Sequence, residues 1–416
     1  MKGKLTKQEL SWIFYDVANS AFIMLVSTTI PILFRSLAEA KGVDSAHASG
    51  MWALVTSVAV LILAVSSPIL GALADYESMK KKLFSLFLSF GILGLLGLCL
   101  TQDWILYMLL FVVARIGYSA CNVFYDSMLT DVTTDDRMDL ISSYGYAWGY
   151  IGSCIPFIIG IFLIFVKPFG LNTLQATQIS FLITAAWWLI MAVPLLKNVK
   201  QTHYLQNRKN KVSHAFRRVG QTLKKIRKDK KLLYFIIGYF CYIDGVYTII
   251  SMATTYGGEV GISSSSMILA LLLTQFVAFP CAIISGIMAG KIGSLRLIKF
   301  FILVYAGVCV FAYQMDKAWE FWVMAVVVGM AQGGIQSLSR AYYGKLIPKE
   351  ESNEYFGFFD IFGKFADFFG PLIMSFCAFA FGTSTYGVFA LIILFIIGFI
   401  CLSRIPNEDT VESGTR

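Results

Sequence analysis

The chain has 416 residues, of which 57% are hydrophobic and only 14% charged. Soluble proteins carry roughly 25% charged residues, so a water-soluble enzyme of this length is excluded. The net charge is +9, but 13 basic residues and a single acid, Asp229, fall within 197–231. The basicity is therefore local and not a nucleic-acid footprint.

A bilayer-spanning helix needs about 20 mostly apolar residues. Twelve runs qualify, at 11–35, 50–74, 83–101, 104–129, 141–166, 176–196, 232–256, 265–289, 296–314, 318–344, 354–380 and 384–403. This predicts an all-α integral membrane protein with 12 transmembrane helices. Lys2, Lys4 and Lys7 precede the first run as in a signal peptide, but the run is long and lacks an A-x-A site, so it is read as span one. With both termini in the cytoplasm, 28 Lys/Arg fall inside and only Arg35, Lys41, Lys167 and Lys317 outside. Positive-inside bias thus sets the orientation.

In chain order, span one carries Asp16, about 7 Å deep by helical rise, and Asn19. Between spans two and three lies Gly71-Ala-Leu-Ala-Asp75-Tyr-Glu-Ser78-Met-Lys80. Its glycine permits close helix approach, and Asp75 with Lys80 to Lys82 is expected to form a cytoplasmic charge gate. Span four carries Arg115 and Tyr118. Ionisable groups inside a bilayer are costly and mark cavities or relays. Arg115 is about 15–18 Å deep, near the midplane. It is read either as a fork for a substrate carboxylate or as the partner of a protein carboxylate.

Residues 197–231 divide the spans into two sets of six: 1–196, then 232–405 followed by a tail at 406–416. Within this linker Val212, Phe216, Val219, Leu223 and Ile226 recur at helical spacing among cations. That pattern predicts an amphipathic helix on the anionic inner leaflet, or simply a linker that orients the bundle. Span seven then brings Tyr242 and Asp244, the latter as deep as Arg115. Gly286 after span eight lies 215 residues from Gly71, the offset that also relates Pro156 to Pro371. This is the mark of a six-plus-six pseudo-repeat. Span ten carries Gln332, Gln336 and Arg340; the glutamines are cavity candidates or helix-packing glue, and Arg340 is a gate anchor. Span eleven carries Asp360, Lys364 and Asp367 on one helical face, either a self-neutralising triplet or a proton relay. The eight cysteines lie in apolar runs without CxxC spacing, and no HExxH, GxSxG or Walker pattern is present. No metal, cofactor or enzymatic activity is expected.

The 12 spans, the repeat and the Gly71–Lys80 segment together resemble the Major Facilitator Superfamily, whose signature G-x-x-x-D-R-x-G-R-K is matched at Gly71, Asp75 and Lys80. Tyr76 and Ser78 depart from it. Three further stretches resemble one branch, the autophagy-related vacuole effluxer family and its bacterial relatives. They are Trp12-x-x-Tyr15-Asp16-x-Ala18-Asn19-Ser20-Ala21-Phe22, Gly145-Tyr-Ala-Trp-Gly149-Tyr150-Ile-Gly152-Ser153, and Gln332-Gly333-Gly334-Ile-Gln336-Ser-Leu-Ser339-Arg340. The last continues through Pro348, Glu354-Tyr-Phe-Gly357, Gly363-Lys364 and Gly370-Pro371. Asp126 and Thr130 stand where the family often has Asn and Pro. The resemblance implies a cavity lined by spans one, four, seven and ten, and export of amino acids.

The expected function is secondary active transport of an amino acid or similar zwitterion or anion, by alternating access and with proton coupling. Arg115 and Asp244 would bridge the cargo between the halves, with Asn19, Gln332, Gln336, Tyr118 and Tyr242 around it. Asp16, Asp75, Arg340 and the span-eleven triplet would serve gating or protons. The alternatives are export of another organic solute or drug, or a transporter-like receptor or scaffold. The setting is a bacterial plasma membrane, and the protein is expected to be a monomer.

Overall fold

The computed structural model describes residues 4–26, 28–206, 211–259, 261–315, 317–382 and 385–405. The predicted tail at 406–416 lies outside them. Among the described residues the chain is all α, apart from short 3-10 turns and one isolated bridge between Tyr76 and Leu205.

The first six spans are built from α1 (Lys7–Val26), α2 (Thr29–Glu39), α3 (Ser45–Ala74), α4 (Met79–Leu100), α5 (Trp104–Val132), α6 (Asp135–Val166) and α7 (Thr173–Asn198). The linker carries α8 (Lys211–Lys228). The remaining six are α9 (Lys230–Glu259), α10 (Ser264–Ile292), α11 (Ser294–Tyr313), α12 (Ala318–Leu346), α13 (Ser352–Phe381), and the pair α14 (Thr385–Ala390) and α15 (Ile392–Ser403). Among the described residues, twelve segments are long and apolar enough to cross a membrane.

Span one is not the continuous helix its hydropathy suggests. It breaks near Thr28, whose hydroxyl donates to the Met24 carbonyl, and resumes in α2 with Pro31 in the first turn. A proline there gives up an amide that has no helical acceptor in any case. Polar side chains start other helices: Asp103 caps α5, Asn172 and Gln175 form a capping box on α7, and Ser263 caps α10.

Helix pairing repeats between the two sets of six. In the first, α1 packs on α7, α3 and α4 each pack on α5, and α4 packs on α7. In the second, α9 packs on α15, α10 and α11 each pack on α12, and α11 packs on α15. The same four pairings thus recur in the same chain order. Small residues let these backbones close, as where a side chain on Gly117 would strike the backbone of Gly91.

The chain forms two compact units whose borders differ from the sequence halves. One comprises Met1–Thr134, Trp148–Ala215 and Lys349–Gly357; the other comprises Asp135–Ala147, Phe216–Pro348 and Phe358–Arg416. The first turns of α6 therefore belong to the second unit, and those of α13 to the first.

Candidate functional site

In the first unit, α1 and α5 present facing polar side chains within otherwise apolar helices. Arg115, Tyr118 and Asn122 share one face of α5 by their spacing of three and four. The Asn19 side-chain amide of α1 donates to the Asn122 carbonyl oxygen at 2.8 Å, and Ser20 donates to the Asn19 oxygen at 3.3 Å. The Tyr118 hydroxyl is hydrogen-bonded to Asn122 and lies within electrostatic reach of Arg115, Asp16 and Asp126. Its ring packs on Phe22 and Trp188.

The Arg115 guanidinium sits 5.7 Å from the Tyr118 ring centroid, within cation–π range. Its Nε and Nη1 atoms are buried and have no hydrogen-bond partner among the described residues. Among the described residues no carboxylate forms an ion pair with it. A charge of this kind at the middle of a spanning helix costs about 2.5–3.5 kcal/mol on insertion scales, and the ring face offsets only part of that. What remains is a planar donor fork suited to a carboxylate.

Asn122 was not among the sequence candidates. Its signal was the spacing of seven from Arg115 and four from Tyr118, which a search for charge passes over. Asp16 is buried in α1, one turn before Asn19.

In the second unit, Asp244 of α9 is 1% exposed, and its Oδ1 accepts the backbone amide of Gly370 at 2.9 Å. Gly370 precedes Pro371 inside α13, so the carboxylate clasps the helix where a proline interrupts it. The Tyr242 hydroxyl is hydrogen-bonded to the Ser339 hydroxyl at 2.6 Å and is fully buried. It is a strut between α9 and α12 rather than an open pocket wall. Gln332 is 6% exposed, with its Oε1 buried and unpartnered among the described residues, while Gln336 is half-buried. Asp360 and Lys364 form an ion pair along α13. The Asp367 side chain lies outside the described residues, so the triplet is seen only as this pair.

A second kind of site lies at the helix ends that carry the basic connections. Asp75 accepts the Asn353 backbone and side-chain amides, both at 2.9 Å, and the Glu354 amide at 3.3 Å. Carboxylate charge at a helix N-terminus is favourable. Gly71 makes this possible, because a Cβ there would sit 2.2 Å from the Asn353 carbonyl oxygen. Of the lysines grouped with Asp75 in the expected charge gate, Lys80 engages another carboxylate. Lys80 is fully buried and donates to Asp131 at 2.5 Å and to Ser352 at 3.5 Å. Asp131, at the end of α5, was absent from the sequence candidates because it looks like an ordinary helix-terminal acid.

The second unit holds the repeat counterpart, with Gly286 facing Ser143 of α6. Asp139 of α6 accepts Lys345 at 2.5 Å and Ser294 at 2.8 Å. Arg340, 2% exposed, donates through Nε and Nη2 to the Ser142 hydroxyl and carbonyl at 3.0 and 3.1 Å, under the Tyr146 ring at 4.3 Å. It therefore anchors the start of α6.

The sequence matches the family described as "Vacuole effluxer Atg22 like" over residues 5–138 and 130–413. The uncharacterized MFS-type transporter YxiO of Bacillus subtilis is 44% identical over 99% of this chain and 98% of its own length. The chain belongs to the Atg22-like family of Major Facilitator Superfamily transporters. The autophagy-related protein 22 of Kluyveromyces lactis is 23% identical over 97% of the chain and 94% of that protein.

Solved structures agree on the fold. The human organic anion transporter MFSD10 superposes with a TM-score of 0.73 at 13% identity, covering 96% of this chain and all of that one. The transporter FucP, solved in the outward conformation, gives 0.71 at 13% identity, covering 95% of this chain and 100% of its own. Family and fold alike are those of transporters, not enzymes. The Atg22-like chain is thus a multi-pass integral membrane protein that moves small molecules.

Proposed function

We propose that this transporter exports amino acids or closely related carboxylates across the bacterial plasma membrane, coupled to protons. The observation that carries the reading is the buried, unpartnered Nε and Nη1 edge of Arg115 beside Tyr118 and the Asn19–Asn122 pair. A carboxylate docked there gains two charge-assisted hydrogen bonds, and the two asparagines supply neutral polar contacts close by. The carboxylate end of a zwitterion fits this chemistry better than a neutral sugar. The family description as an effluxer supports the direction, the Bacillus relative supports the membrane, and a structural neighbour that carries organic anions supports the charge of the cargo.

Alternating access requires the contacts at the basic helix ends to break and reform. The Asp75 acceptor for α13 and the Asp139–Lys345 pair for α6 are the latches in this scheme, on the cytoplasmic side by the positive-inside argument. Protonation of Asp244, Asp16 or Asp360 biases the two states only through its differential cost in each. The decisive experiment is counterflow in proteoliposomes with a panel of labelled amino acids at two pH gradients, using the parent protein, Arg115→Lys and Arg115→Ala. Uptake of a carboxylate-bearing cargo is expected in the parent. Lysine, with charge but no fork, retains a fraction of it, and alanine abolishes it. Transport unchanged in Arg115→Ala overturns the assignment.

A further inference from the structure

The linker helix α8 has three faces, where an amphipathic helix needs two. Ala215, Arg218, Thr222 and Ile226, spaced three and four apart, are buried. A second line, Val212, Phe216 and Leu223, is 58%, 58% and 46% exposed, with Val219 half-buried between them. At 3.6 residues per turn this apolar line lies roughly a quarter turn from the packed face. A third line, Arg217, Lys224 and Lys228, is exposed. The buried face thus takes one large apolar residue, Ile226, and leaves Val212, Phe216 and Leu223 outside, beside a row of cations.

The segment before α8 is tied to the latch residues. Thr202 and His203 each donate a backbone amide to the Asp131 Oδ1, at 2.9 and 3.0 Å. Leu205 donates to the Asp75 carbonyl at 2.8 Å and accepts from the Glu77 amide at 3.0 Å. The Gln201 side chain donates to the Ala74 carbonyl at 3.1 Å. In the first turn of α8, His214 Nδ1 lies 2.9 Å from the Tyr76 hydroxyl. The linker therefore grips the residues on either side of Asp75 as well as the partner of Lys80.

We propose that α8 is a docking surface for anionic phospholipid, and that its seating on the bilayer is transmitted through 201–205 to the Asp75 and Asp131 latch. Val212, Phe216 and Leu223 enter the acyl boundary while Arg217, Lys224 and Lys228 take headgroup phosphates. Charge complementarity selects this occupant. The inner leaflet of a bacterial membrane is the negative surface adjacent to a cytoplasmic linker, and an apolar stripe beside the cations matches an interface rather than a soluble acidic protein.

The test uses the full chain in nanodiscs of phosphatidylcholine, with or without phosphatidylglycerol. Phe216→Cys carries a bimane label, and nitroxide-labelled lipid is the quencher. Quenching is expected to rise with phosphatidylglycerol and to lose about half or more of that rise in R217Q/K224Q/K228Q. Equal quenching in both lipids, unaffected by the triple change, overturns the headgroup assignment. No quenching in either overturns the membrane seat and leaves the stripe for a protein partner. A second probe, Ser67→Cys, lies beneath Gly357 in the first unit. Its rate of reaction with a water-soluble maleimide is expected to change with phosphatidylglycerol in the parent but not in the triple variant. A rate indifferent to lipid in both overturns the coupling while leaving the docking intact. Neither readout depends on which solute is carried.

Discussion

Asp75 accepts both the backbone and the side-chain amide of Asn353, each at 2.9 Å, at the buried first turn of α13. One carboxylate thus satisfies donors that the start of any helix leaves unpaired, and does so across 278 residues of sequence. Asp75→Asn keeps an acceptor oxygen but loses the charge that complements the helix terminus. Hydrogen bonds to charged groups contribute about 1.5–3 kcal/mol, so the start of α13 is expected to part from α3 roughly ten times more often or higher. Maleimide labelling of Ser67→Cys, whose parent residue is 1% exposed, should accelerate by that factor in the Asp75→Asn background. An unchanged rate means the charge does not hold the helix.

The Lys80–Asp131 pair is fully buried at Lys80 and nearly so at Asp131. Breaking such a pair from one side leaves a charge stranded and costs about 3–5 kcal/mol, whereas replacing both partners with apolar groups is often tolerated. Lys80→Met and Asp131→Leu should each lower the temperature at which the detergent-solubilised protein loses its monodisperse elution peak. Asp131 also holds Thr202 and His203, so Asp131→Leu is expected to be the more damaging. The double variant should fall short of the sum of the two. Strict additivity rejects the pairing as the source of stability.

The apolar runs and the 215-residue offset were enough to read the spans and the six-plus-six repeat, because the bilayer imposes a length rule on every helix. The exchange of the first turns of α6 and α13 between compact units was not legible. It is accompanied by close backbone approaches at Gly71 and Gly357 and by polar contacts, Asp75 with Asn353 and Arg340 with Ser142, separated by 278 and 198 residues. Neither partner announces itself by periodicity. Arg115 was legible because charge is rare within spans, whereas Asn122 is uncharged and had to be seen beside Asn19 to be recognised. The stripe through Val212 and Leu223 was visible, but not that Ile226 leaves it to join the packed face with Ala215 and Thr222.

Gly71 tests the closeness of the α3–α13 approach directly. Its missing side chain leaves room for the Asn353 carbonyl at 2.2 Å from where a Cβ would lie. Backbone cannot swing aside as a side chain can, so Gly71→Ala is expected to cost about 1–3 kcal/mol, read as earlier thermal loss of the monodisperse peak. Gly220 in α8 is the control, with no atom of the described residues within 4 Å of where a Cβ would lie. Gly220→Ala should be neutral or stabilise by up to about 1 kcal/mol through helix propensity. Equal effects from the two would refute the crowding argument.

Asp244 separates structure from coupling, because its Oδ1 serves the Gly370 amide at 2.9 Å whatever its protonation state. A carboxylate, a carboxylic acid and an asparagine amide each keep an oxygen that can accept that bond. The approach depends on Gly370, where a Cβ would lie 1.7 Å from the Thr248 hydroxyl oxygen. Gly370→Ala should therefore disrupt the clasp, and Thr248→Ala should partly rescue it. Asp244→Asn, by contrast, should fold with near-parental thermal stability and retain solute counterflow, which needs no net proton movement. What it should lose is the extra accumulation driven by an imposed pH gradient, since an amide takes up no proton in this range. If Asp244→Asn still responds to the gradient, the coupling proton resides elsewhere, and Asp16 and Asp360 become the next variants to make. If it fails to fold, the negative charge itself holds α13 at its proline.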